Sequence, residues 1–418
     1  MDRAFDTIIG YEDIKQELRQ ILDQLVDPGK YAALGVERPH GLLLEGDPGV
    51  GKSTLAQCFL RACGAKSYVL RKDRPNGEFV NEITRIFKEA ADNAPSVILL
   101  DDLDKFANED GGHRDAEEYV TVQTCIDRVK AQDVFVVATV NNTTKLPESL
   151  TRPGRFDHQL ELHLPDGEDA VRIVDYYLSK KSYVAQVDTR CIARLLQQRS
   201  CAELEAVVNQ ACAYAAFEEQ QKVQMEHMIR AILRIFYKAP ERCTLSDKER
   251  KDVACHEAGH ALVSELLEPE SVELVSITAR QSNTAGVTAT YRHEDYFCSY
   301  RLMENRVMTL LAGRAATEVL YGTVDVGAGS DLKRAFAIVN RLVDDFCALG
   351  FEQYGDRDDS EATKARRDSR IAMELDRYYR QVKQLLVENR DKLEALIKLL
   401  LQQQTILGKD LRGLLQAV

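Results

Sequence analysis

Short unbroken apolar runs separated by stretches of helical period dominate the first 165 residues. HGLLLEG at 40–46, SVILLDD at 96–102 and VFVVATVNN at 134–142 read as strands buried on both faces, which predicts a parallel sheet in an α/β layout. From 166 to 237 such runs stop. AELEAVVNQACAYAAFEEQ at 202–220 carries its apolar residues at helical spacing, so a small helical subdomain is expected there. A linker is expected over 238–245, around Ala239-Pro240. Ser246 followed by Glu249 is a capping-box pattern, predicting a helix that runs to about Leu267. The remainder, to 418, reads as mainly helical, with a short β element near Val272–Tyr291 and a polar loop from Phe351 to Ser369. The expected organisation is therefore 1–165, 166–237, the linker 238–245 and 246–418. No internal repeat or low-complexity tract interrupts it.

Two motifs carry chemistry on this frame. Gly46-Asp47-Pro48-Gly49-Val50-Gly51-Lys52-Ser53 follows a buried strand and opens a helical stretch, the setting in which P-loop amides cradle phosphate. Lys52 is placed to reach the β- and γ-phosphates of ATP, and Ser53 to reach Mg²⁺. Thr54, with Ile9 and Gly10 near the chain start, completes the expected nucleotide contacts. The apolar strand Val97–Asp102 ends in Asp101 and Asp102, one carboxylate to orient Mg²⁺ and a second to polarise water. Asn141, at the end of the third strand, is either a contact for the γ-phosphate or the attacking water, or a turn residue.

His256-Glu257-Ala258-Gly259-His260 is the second motif. Imidazoles at i and i+4 share a helix face and can ligate one Zn²⁺, leaving Glu257 as general base. A catalytic zinc needs a third protein ligand, which the motif does not name.

Composition narrows the classes. The formal charge is −12 with both signs interspersed, which argues against a nucleic-acid surface. Ten cysteines at irregular spacing, without a CxxC pair, suit buried thiols in a reducing compartment. No apolar run reaches the roughly 20 residues that span a bilayer, and no signal peptide is recognisable, so a soluble, cytoplasmic chain is expected.

Leu150-Thr151-Arg152-Pro153-Gly154-Arg155-Phe156-Asp157 resembles the arginine-finger segment of AAA+ ATPases. That resemblance implies a ring, normally a homohexamer, in which Arg152 and Arg155 act on a neighbour's nucleotide. The alternative is that both arginines pair with local carboxylates. With VACHEAGHAL at 253–262, AGRAATEVLYG at 312–322 and GAGSDLKRA at 327–335, nearly the whole chain is similar to the FtsH-type AAA+ metalloproteases. The resemblance implies Asp331 as third zinc ligand; Glu318, on a helical stretch downstream, is the runner-up but reads more readily as a helix-surface carboxylate or salt-bridge partner, and Asp325 is a more distant candidate. It also implies that 285–290 is an edge strand able to bind extended peptide, although an ordinary hairpin arm reads the same way.

Several positions depart from the family pattern. Cys255 stands where a tyrosine is usual. Asp102 replaces the usual water-polarising glutamate with a shorter side chain, so slow hydrolysis is expected. Pro75-Asn76-Gly77 replaces the aromatic pore loop; Phe79 is either a substitute for the aromatic or the first core residue of the next helix. Family members usually carry N-terminal transmembrane helices, so a membrane anchor upstream is possible by resemblance. The expected function is an ATP-dependent zinc metalloprotease acting on unfolded or damaged proteins, with ATP, Mg²⁺ and one Zn²⁺ per subunit. Two alternatives stand beside it: a non-proteolytic AAA+ remodeller with a structural or relict metal site, and an ATP-independent peptidase on an idle ring.

Overall fold

Alternation along the expected strands sorts their side chains onto two faces of one sheet. The computed structural model describes residues 4–73, 75–107, 116–152, 154–181, 187–240, 245–278, 286–291, 299–323, 328–347 and 361–417. Strands β1 (Gly41–Gly46), β2 (Lys66–Leu70), β3 (Ser96–Leu100), β4 (Val134–Val140) and β5 (His158–Leu162) form a parallel sheet in the order β2-β3-β4-β1-β5. Leu43, Ile98, Leu100, Val136 and Ala138 enter one core. Leu42, Leu44, Val97, Leu99, Phe135 and Val137 enter the core on the opposite face. The inner strands β1, β3 and β4 are thus almost wholly apolar because both of their faces are covered, whereas the edge strands β2 and β5 carry exposed polar residues.

Because β3, β4 and β1 are parallel neighbours, their carboxyl ends lie side by side, where ligands bind in open α/β sheets. The helix Lys52–Cys63 starts at the end of β1. The helix Asn76–Asp92 makes Asn76 and Gly77 its first turn, after Pro75 as N-cap. Phe79 is fully buried and edge-on to Phe106, with ring centroids 4.8 Å apart. It is therefore a core residue, and the idea that it replaces a pore aromatic is corrected.

Contacts divide the chain into two compact units. One contains Met1–Ser182 and Leu196–Asn209, the other Tyr183–Leu195 and Gln210–Val418. The helical stretch that follows the sheet comprises Gly167–Ser179, Thr189–Leu195, Cys201–Phe217 and Met225–Tyr237, and its helices are shared between the units.

In the second unit the helix Asp247–Leu267 starts with the expected capping box: the Ser246 hydroxyl accepts from Glu249 N, and the Glu249 carboxylate accepts from Ser246 N at 2.8 Å. From Ala254 to Glu265 this helix is buried all round. It packs on Tyr300–Tyr321 so closely that a Cβ on Gly259 would fall 2.6 Å from the Ala312 carbonyl oxygen. Strands β6 (Val272–Ser276), β7 (Val287–Thr290) and β8 (Thr405–Leu407) form a small antiparallel sheet, order β7-β6-β8, so β7 is an edge. Ala285, expected at the head of that strand, lies outside the described residues.

The polar loop expected over 351–369 is shorter than anticipated, because the helix Glu361–Glu388 already covers its last nine residues. Ala362, Lys364, Ala365, Arg366 and Arg367 are good helix formers, and the Arg367 guanidinium anchors this end on Asp344. The eight described cysteines are in no disulfide, and Cys243 and Cys298 lie outside the described residues. Among the described residues no helix is long and apolar enough to cross a membrane.

Candidate active sites

The end of β1 runs into Gly49 and Gly51, which take φ of 84° and 103°. A side chain at Gly49 would also meet Ser200 and Ala202 at 2.9 Å, so only glycine suits both the turn and the packing. Asp47, Pro48 and Thr54 are exposed, and Val50 is buried. Lys52 Nζ donates to the carbonyls of Gly46 (2.7 Å) and Asp47 (2.9 Å) and to Asn141 Oδ1 (2.9 Å). Burial pushes the Lys52 ammonium below its usual pKa, against the opposing pull of Asp102, Asp104 and Asp47.

Asp101 Oδ1 accepts from the hydroxyls of Ser53 (2.9 Å) and Thr139 (2.8 Å), which joins the Lys52–Cys63 helix and β4 to the end of β3 through one carboxylate. Asp102 sits in the left-handed region, φ 56°, with its amide on Thr139 Oγ1 and its carboxylate between Lys105 (2.8 Å) and Arg71 (3.2 Å). Burial alone would raise the Asp102 pKa, but these two cations hold it below the usual carboxylate range.

Near the chain start, Ile9 is half-buried and Gly10 is buried against Asp169. The next residue, Tyr11, donates its hydroxyl to the carbonyls of Val50 (3.1 Å) and His163 (2.6 Å), tying this segment to the P-loop. No motif marks Tyr11 or Thr139 in the sequence. Arg152 is exposed. Arg155 is held within the chain, Nε and Nη2 on the two oxygens of Asp127 and Nη1 on the Ser149 carbonyl. Hydrogen bonding from Arg155 brings Asp127 down to about 2. Pro153 lies outside the described residues.

On the Asp247–Leu267 helix, His256 Nε2 and His260 Nε2 lie 3.0 Å apart, and each lies 3.4 Å from Asp331 Oδ2. Asp331 comes from the first turn of the helix Gly329–Asp344. Four ligands about 2.0–2.1 Å from a tetrahedral centre stand roughly 3.3 Å from one another, so this triangle fits three corners of a zinc tetrahedron. His260 Nδ1–H donates to the Thr309 carbonyl at 2.7 Å, which leaves the Nε2 lone pair facing the other two donors. Burial would raise the Asp331 pKa, but the two histidines outweigh it and hold the carboxyl well below the usual range. A Cβ on Gly313 would fall 2.5 Å from His256 Cε1 and 2.6 Å from His260 Nε2. That glycine is what lets the neighbouring helix pass the histidine pair.

Glu257 is buried and accepts from Thr288 Oγ1 at 2.8 Å. Gly286, just before β7, leaves room for this carboxylate, because a Cβ there would lie 2.5 Å from Glu257 Oε1. Sequence reading missed Thr288, Gly286 and Gly313; each belongs to a segment singled out for other reasons. Glu318 is excluded from the cluster. Its carboxylate is taken by Lys383 (2.7 Å) and Tyr379 (2.5 Å), and among the described residues the metal-binding group is His256, His260 and Asp331. Asp325 lies outside the described residues.

Comparison with known proteins agrees with both halves. Residues 42–164 match the ATPase family associated with various cellular activities (AAA), and residues 243–414 match Peptidase family M41. The chain is an AAA ATPase module followed by an M41 peptidase domain. It is 30% identical to the ATP-dependent zinc metalloprotease FtsH 3 of Petrotoga mobilis, over 99% of this chain and 69% of that protein. Against the ATP-dependent zinc metalloprotease FtsH of Nitrosococcus oceani it is 32% identical, covering 96% of this chain and 68% of the relative. Against FtsH 2 of Symbiobacterium thermophilum it is 32% identical, covering 99% and 75%. The chain belongs to the FtsH family of ATP-dependent zinc metalloproteases.

Proposed function

We propose that this chain degrades proteins in an ATP-driven homohexameric ring, its motor drawing extended polypeptide to a zinc site that hydrolyses peptide bonds. The observation that carries the reading is the meeting of His256, His260 and Asp331 beside the buried Glu257. In this reading these three residues would hold one Zn²⁺ per subunit. Zinc, when bound, polarises the scissile carbonyl and acidifies water. Glu257 takes a proton from that water and delivers it to the leaving amine. Edge strand β7, whose Thr288 touches Glu257, offers backbone groups to an extended peptide by β-augmentation, which makes few demands on its side chains.

In the motor, Lys52 exchanges its carbonyl partners for the β- and γ-phosphates of ATP, and Ser53 and Asp101 are the residues that would hold Mg²⁺. Gly46 to Gly51 and Thr54 wrap the phosphates, and Ile9 and Gly10 border the nucleotide. Asp102 polarises the attacking water, with Asn141 beside it. Arg152 and Arg155 serve the neighbouring subunit's nucleotide, for which Arg155 exchanges Asp127 for phosphate. The working division is a nucleotide-binding part to 165, a helical lid over 166–237, a linker over 238–245 and a peptidase from 246. Unfolding costs several kcal/mol, which ATP hydrolysis supplies. Cysteines in no disulfide suit a reducing, cytoplasmic compartment or the cytoplasmic face of a membrane.

The test is cleavage of a fluorescence-quenched, unstructured protein by zinc-loaded chain, with ATP and with ADP, using Glu257→Gln as blank. Cleavage boosted by ATP and absent from the blank is expected. Equal cleavage with both nucleotides would replace the reading with a peptidase on an idle ring. No cleavage with either, alongside active ATP hydrolysis, would replace it with a remodeller.

A further inference from the structure

A buried carboxylate stands at the motor site without a role in the reading above. Asp104 lies on the single 3-10 turn Leu103–Lys105 that follows Asp102, and it is 8% exposed. Its Oδ2 accepts from Asn141 Nδ2 at 3.2 Å, whereas Oδ1 is buried and makes no hydrogen bond. Burying a charge with one oxygen unsatisfied is costly, and an apolar residue on this turn would avoid the cost. The turn itself is fixed from behind, where Tyr119 donates its hydroxyl to the Asp104 carbonyl.

The orientation of the Asn141 amide follows from its two partners. Lys52 has only protons to give, so the atom 2.9 Å from its Nζ is the amide oxygen. An ionised carboxylate can only accept, so the atom facing Asp104 is the amide nitrogen. Had the amide turned over, oxygen would face carboxylate and NH₂ would face ammonium, two repulsive contacts in one buried place. We infer that Asp104 is a positioning residue for ATP hydrolysis: it locks the Asn141 side chain with its carbonyl oxygen toward the Lys52 end of the phosphate site.

Mechanistic consequences follow from that lock. When Lys52 turns to phosphate, Asn141 Oδ1 is released as a hydrogen-bond acceptor already aimed into the site. An acceptor there accepts a hydrogen bond from the attacking water and so orients its lone pair, whereas an NH₂ group would bind phosphate oxygen instead. Asp104 thus decides which of the two roles open to Asn141 is performed. Asp102, anchored on Lys105 and Arg71, has one methylene less than a glutamate, so a second water-orienting group matters more here.

The inference rests on the motor reading, and its test separates the two. Phosphate release over an ATP series is measured for the intact chain and for Asp104→Asn, Asn141→Ala and the double variant, with fluorescent-ADP affinity and thermal melting measured alongside. Asp104→Asn keeps the shape but lets the amide turn, so kcat is expected to fall about tenfold as the water is misplaced. KM and ADP affinity should stay within about twofold, since ground-state binding is not involved. Asn141→Ala should fall at least as far, and the double variant no further, because the two residues act as one unit. Unchanged kcat in Asp104→Asn, a KM effect at constant kcat, or losses that multiply in the double variant would each overturn the inference. If Asp104→Asn melts early, Asp104→Ser is read by the same criteria. A wild-type chain that binds ATP without hydrolysing it would sink the motor reading and this inference with it; an active wild type matched by Asp104→Asn sinks the inference alone.

Discussion

In the motor, charged groups rest on partners within the chain: Lys52 on two backbone carbonyls and Asn141, Arg155 on Asp127. Around the HExxH helix the donors already stand at ligand spacing, with His260 braced by a backbone carbonyl and Glu257 by Thr288. The contrast follows from the elements beneath. Strand ends and loops hold the first site, and loops are where backbone and side chains can move. A helix buried on all sides holds the second, so i and i+4 spacing alone sets the geometry of two ligands. One site waits for its ligand to organise it; the other is organised before the ligand arrives.

Breaking the rigid site should give the largest effects. Asp331→Ala removes one of three donors and is expected to cut zinc affinity by more than about 100-fold, above the range of losses known for supporting residues. Zinc retained per chain after dialysis, with ATP hydrolysis as the internal control, checks it; undiminished zinc would remove Asp331 from the ligand set. Gly313→Ala tests rigidity more subtly. Its Cβ would overlap His256 and His260, and overpacking of this kind costs about 1–3 kcal/mol. A fall in zinc affinity with unchanged motor activity is expected in chelator competition, and a neutral outcome would mean the two helices can move apart.

Thr288→Val removes a hydrogen bond to a charged group, worth about 1.5–3 kcal/mol, while keeping shape. Peptidase kcat should fall roughly ten- to hundredfold at constant zinc content, and Thr288→Ser should restore it. Failure of the serine to rescue would make the methyl group, not the hydroxyl, the important part. The smallest effect belongs to the pliable site. Asp127 is depressed to about 2 by Arg155, so the pair's contribution is present above the unfolded carboxylate value and is lost as pH falls through about 2. The pair is partly exposed, and Asp127→Asn should cost only about 0.2–1 kcal/mol at pH 7. Its melting curve should converge with wild type near pH 2, and a difference that persists there would assign the effect to packing.

Local rules made much of this legible. The capping box at Ser246 and Glu249 announced the zinc helix. Unbroken apolar runs announced a sheet covered on both faces, and glycine spacing announced the P-loop. The early start of the Glu361–Glu388 helix was hidden because polar residues of good helix propensity resemble a loop by hydropathy alone. Phe79 was ambiguous for a related reason: its burial depends on Phe106, which is 27 positions away.

What the sequence determined by itself is whatever a few consecutive residues enforce: strand, turn and helix at the P-loop, and two imidazoles one turn apart. Tertiary structure decided the rest, because it joins residues that share no local pattern. Asp331 reaches His256 from 75 positions away, Thr288 reaches Glu257 from 31, and Asp104 reaches Asn141 from 37. Hydrogen bonds and metal ligation act over about 3 Å, whereas sequence pattern reports only on neighbours within a turn or two. Only packing of strands and helices can bring those distant side chains into that range.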